Sequence, residues 1–126
     1  MGYESRLYVV KKGCLKPDKE TGLKWCEVIA TINLCKMGGD FVDRVTRYPM
    51  TDSFFYTDNG TVVEDNYGAP LREIPRRDMI NILEIQKLED LKKGEVPYRR
   101  LEPAIALLKG FDPEQWGEVF VLHYGY

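Results

Sequence analysis

The stretch Asp112-Pro-Glu-Gln-Trp-Gly-Glu-Val-Phe-Val-Leu-His-Tyr-Gly-Tyr126 constrains the fold more than any other part of the chain. It reads as one helical turn and then a strand. Side chains alternate along a strand, so Val119, Val121 and His123 point to one side and Phe120, Leu122 and Tyr124 to the other. Both sets are largely apolar. Such a strand needs cover on two faces, which places it inside a sheet.

The rest of the chain supplies that sheet and its cover. Ser5–Lys11 and Trp25–Leu34 are strand candidates, joined antiparallel through a long, charged connection that carries Gly13, Pro17, Asp18 and Gly22. In the second strand Cys26, Val28, Ala30, Ile32 and Leu34 fall on one face, and Glu27, Thr31 and Asn33 on the other. Asp40 is expected to cap a short helix that carries Phe41, Val45 and Tyr48 and stops at Pro49. Ser53–Thr57 and Thr61–Glu64 flank Asn59-Gly60, whose tolerance of positive φ marks a β-hairpin. Pro75 opens a helix to about Lys93, with Met79, Ile82, Leu83, Leu88 and Leu91 as its apolar face. A further helix lies within Tyr98–Lys109, where Pro103 demands a late start or a kink. Asp112 with Gln115 forms a capping box on a last turn.

Strands cluster early and helices late, so the expected fold is α+β. It is a single domain over residues 1–126, with a mostly antiparallel sheet. The two longer helices of the C-terminal half pack on one face, and the final strand returns to lie beside an early one. Its outer apolar positions are expected to be covered by the helix near Phe41–Tyr48 or by a second protomer. At 126 residues, a domain buries enough surface to fold without a metal or disulfide.

The net charge of −2 argues against a strongly basic nucleic-acid binder and against a strongly acidic nucleic-acid mimic. Cys14, Cys26 and Cys35 are odd in number and lack paired spacing, so neither a zinc site nor a disulfide framework is expected. With no apolar leader at Met1–Lys12 and no membrane-spanning run, the expectation is a cytoplasmic protein. No cofactor is implied. Asp58, Glu64 and Asp65 lack calcium-loop spacing, and Gly38-Gly39 lacks the residues of a phosphate loop.

His123 is the single histidine, and catalysis would need a nucleophile such as Cys26 or Cys35 beside it. The plainer expectation is a packed ring with one hydrogen-bonded nitrogen. Arg72, Arg76, Arg77, Arg99 and Arg100 lie near the starts of the two later helices. If those helices pack side by side, the arginines converge with Tyr98 into a site for an anion: a nucleotide, a nucleic-acid backbone or an acidic partner. Glu73, Asp78, Glu95 and Glu102 are interleaved, so a solvated, salt-bridged surface fits the same residues. Arg44, Arg47 and Tyr48 form a smaller set with the same two readings. Eight tyrosines exceed what a core needs, and the end at Tyr124-Gly-Tyr126 is a candidate surface for self-association.

Met1-Gly-Tyr-Glu-Ser-Arg-Leu-Tyr-Val-Val10, the middle segments Thr51–Gly60 and Val63–Leu71, and Phe111–Trp116 with Val121–Tyr126 resemble small accessory proteins of bacteriophages and prophages. The resemblance implies a non-enzymatic protein that binds and inhibits a host defence or regulatory factor, in the manner of an anti-CRISPR. It carries no catalytic residue. A homo-oligomeric sponge for an anionic signalling nucleotide is the second expectation, and a small enzyme using His123 the third.

Overall fold

The computed structural model describes residues 3–13 and 16–126. Met1, Gly2 and Cys14 lie outside them. The elements run β1 (Ser5–Lys12), β2 (Lys24–Cys35), α1 (Gly39–Thr46), β3 (Ser53–Thr57), β4 (Gly60–Val62), β5 (Arg72–Pro75), α2 (Arg76–Lys92), α3 (Leu101–Gly110), α4 (Pro113–Trp116) and β6 (Phe120–Gly125). They form one α+β unit around a six-stranded sheet of order β4-β3-β2-β1-β6-β5.

The final strand is interior, as its two-faced apolarity requires. β6 pairs antiparallel with β1 on one side and with β5 on the other. Val121 and Leu122 are both fully buried, in two different cores. The larger core lies between one face of the sheet and the helices: Leu7, Val9 and Val121 meet Phe41 and Val45 of α1, Met79 and Leu83 of α2, and Leu101, Ile105 and Leu108 of α3. The smaller core gathers Tyr8, Val10, Cys26, Phe55, Leu71 and Leu122 on the opposite face.

That second face is not covered by α1. α1 sits with the other helices. The cover is the β3–β4 hairpin with the segment after it. β3 joins β2 through only two parallel pairs, Lys24↔Ser53 and Trp25↔Phe54. Past that point Phe55 packs on Tyr8, ring centroids 4.5 Å apart. Asn66 N–H donates to Gly125 O at 3.0 Å, tying the next segment to β6. The parallel join is the one departure from an otherwise antiparallel sheet among the described residues.

β2 serves both cores, contrary to the single apolar row expected of it. The register with β1 runs Val9↔Ala30 and then Val10↔Val28, leaving Ile29 as an extra residue. Such a bulge shifts the alternation by one residue. Cys26 and Val28 therefore face the smaller core, and Ala30, Ile32 and Leu34 the larger.

Other local expectations changed in similar ways. α1 is capped by Gly38 at φ 83° with no side-chain bond, and Asp40 lies inside its first turn. Leu88 and Leu91 of α2 are exposed, at 56% and 52%. At about 100° per residue, Gln86 and Asp90 fall in line with Met79 and Leu83, while Leu88 falls on the far side. α3 starts late, which places Pro103 in its first turn, and Asp112 caps α4 by accepting from Glu114 N–H at 3.1 Å. No helix of the described residues is long and apolar enough to cross a membrane.

Candidate functional site

The arginine set divides into two because α2 and α3 run antiparallel. Arg76, at the start of α2, donates through Nη1 to Leu108 O near the end of α3, at 2.9 Å. The start of α3 meets the end of α2: Tyr98 N–H donates to Asp90 Oδ2 at 3.2 Å. The helix starts thus lie at opposite ends of the pair, and the convergence of all five arginines with Tyr98 does not occur. Arg72 belongs to β5, where its Nη1 donates to Tyr48 O at 3.1 Å. Arg77 is exposed on the first turn of α2.

Tyr98, Arg99 and Arg100 stay together, against the end of β2. Tyr98 Oη donates to Leu34 O at 2.8 Å, and Arg100 Nη1 donates to Asn33 O at 2.9 Å. Thr31, Ile32 and Asn33 of β2 and Pro103, Ala104 and Leu107 of α3 form the walls of a groove of about 470 Å³, with Arg99 and Arg100 on its rim. Among the described residues these two arginines are its only charged lining residues, and neither pairs with an acidic side chain.

The groove runs along an open strand edge. β3 leaves β2 after Trp25, so among the described residues β2 has no strand on the side away from β1 from Cys26 onward. The direction of its backbone groups follows from the hydrogen-bond phase. Glu4 and Tyr126 exchange both backbone bonds, at 2.7 and 2.9 Å. Counting in twos, Arg6 and Tyr8 direct their N–H and C=O groups toward β6. Their partners on the other side, Asn33 and Thr31, therefore direct theirs away from β1. Arg100 takes the Asn33 carbonyl, in agreement. The Thr31 N–H, the Thr31 carbonyl and the Asn33 N–H are left facing the groove.

The remaining candidates are engaged elsewhere. His123 is buried between Tyr3 and Phe41, with Nε2 2.9 Å from Ser5 Oγ. Burial pulls its pKa down to about 4, against a smaller opposing influence from Asp65. Serine beside histidine is a nucleophile–base geometry. Here both side chains are buried, at 1% and 4% exposure. Among the described residues no hydrogen bond joins Cys26 or Cys35 to His123. The Cys26 thiol lies on the opposite face, donates to Phe54 O at 3.2 Å, and is pushed up to about 12 by burial. Arg44 pairs with Glu89, and Tyr48 Oη donates to Asp78 Oδ2 at 3.0 Å. The terminal tyrosines are half-buried: Tyr124 packs edge-on against Tyr8 and tilts against Tyr126, and Arg6 lies 4.4 Å from the Tyr126 ring centroid.

A second concavity, of about 550 Å³, is lined by Lys16, Asp18, Trp25, Phe54, Tyr56 and Thr61. It is larger than the groove, but its two charges are of opposite sign. Sequence reasoning found Arg99, Arg100 and Tyr98. It missed Thr31 and Asn33, because an open edge depends on where β3 departs, and nothing in β2 encodes that. No protein-family model, no curated protein and no solved structure matches this chain.

Proposed function

We propose that this is a non-catalytic binding protein that acts by docking another protein on the β2–α3 groove. In the phage setting that its sequence resembles, the partner is a host defence or regulatory factor that the docking inhibits. The observation that carries the reading is the pairing of Arg99 and Arg100, without acidic partners among the described residues, with an open strand edge. Guanidinium forks recognise carboxylates in two-point geometry, and their rigid planes lose little freedom on binding. Arginine is also enriched among residues that dominate protein interfaces. The burial of His123 and the protonated Cys26 thiol support binding over catalysis.

Affinity purification from phage-infected cells tests the proposal, with protein and small-molecule eluates both characterised. Wild-type bait is expected to retain a protein, and Arg99→Glu with Arg100→Glu to release it while the melting temperature changes little. Equal retention by the double variant would remove this surface from the account. Retention of a nucleotide in place of a protein would favour the sponge.

A further inference from the structure

Resting on that docking role, we infer that the partner contributes an extended, acidic segment that adds to the sheet as a new strand along β2. Two observations fix the mode. The Thr31 N–H, the Thr31 carbonyl and the Asn33 N–H point outward from an edge with no strand beside it, and such groups template another strand. Among the described residues Arg99 and Arg100 supply the only charges along the groove, and both are positive. An incoming strand alternates its side chains, so every second residue turns toward α3. Carboxylates there meet Arg99, and apolar side chains meet Ala104 and Leu107, the latter 41% exposed. The Ile29 bulge ends the regular edge on one side, and Arg100 capping the Asn33 carbonyl ends it on the other. The added strand is therefore short, and side-chain contacts with α3 are needed beside its few backbone bonds.

The orientation of Thr31 allows a clean test. Its N–H makes no bond to β1, so proline at this position removes a donor from the edge without breaking the internal ladder, and edge strands tolerate proline. The probe is a fluorescent eight-residue peptide alternating glutamate and valine, followed by polarisation. The wild-type protein is expected to bind it, and Thr31→Pro and Arg99→Glu each to weaken binding by about tenfold or more. A lysine-for-glutamate peptide and one N-methylated at alternate residues are expected to bind at least about tenfold more weakly. The N-methylated arm decides the matter even if Thr31→Pro fails to fold. Binding insensitive to both Thr31→Pro and N-methylation would overturn strand addition while leaving the arginine groove as a docking surface. No binding at millimolar peptide would overturn the inference, whereas failure of the docking role itself is read from capture by the arginine double variant. A dimer in sedimentation that Thr31→Pro dissolves would assign the edge to a second copy and overturn the acidic segment.

Discussion

At the scale of single residues, His123 makes stability depend on acidity. In the folded protein burial favours the neutral ring and pulls the pKa to about 4, below the ordinary value of 6.5. The unfolded chain therefore binds the proton more readily, and stability falls as pH drops from 6.5 toward 4, by about 3 kcal/mol from this group. His123→Gln is expected to lose that part of the pH dependence, measured as the difference between the two proteins in urea unfolding at pH 7 and pH 4.5. Identical pH profiles would show that the ring is not buried neutral. Cys26 makes a second case. In a variant with Cys14→Ser and Cys35→Ser, a maleimide is expected to label Cys26 only at the rate of unfolding, since both burial and a raised pKa suppress the thiolate. The packed, hydrogen-bonded character of His123 was legible from the sequence, because its strand neighbours are apolar. Its partner Ser5 was not, since that pairing spans 118 positions.

Among elements, α2 and α3 show where periodicity is read well and where composition misleads. Met79, Ile82 and Leu83 were legible as an inner face and are buried. Leu88 and Leu91 match that face in hydrophobicity but not in helical phase, because Gln86 and Asp90 hold the positions that point inward. Asp90 is nearly buried, accepting from Tyr98 N–H and from Gln86 Nε2, and so fixes the connection that presents Arg99 and Arg100. Asp90→Ala is expected to cost about 1–3 kcal/mol through its unpaired donors, whereas Leu88→Ala costs under about 0.5 kcal/mol. Chemical denaturation of the two variants checks this, and a larger loss from Leu88→Ala would contradict the assignment of faces. β5 went unread because it has four residues, two of them charged, and one fully buried side chain, Ile74. The hairpin at Asn59-Gly60 was read because its signal is local. The bulge at Ile29 carries no comparable mark in the sequence.

For the whole molecule, β6 joins two cores that lie on opposite faces of the sheet. Val121 serves one and Leu122 the other, and both are fully buried. Leu122→Ala is expected to destabilise by about 2–5 kcal/mol, and the Trp25 fluorescence and far-ultraviolet signals to melt together, because neither core survives without the strand they share. The α+β class and the interior place of this strand followed from the sequence. The division of the arginines did not, since it depends on helix direction, and the open edge did not, since it depends on where β3 leaves β2. That edge is the feature on which the functional account turns, and amide hydrogen exchange measures it directly. In the isolated protein the Thr31 and Asn33 amides are expected to exchange far faster than that of Ile32, whose N–H bonds to β1, and the acidic peptide to slow them selectively. Protection of Thr31 equal to that of Ile32 in the monomer would show the edge already closed and would contradict the account.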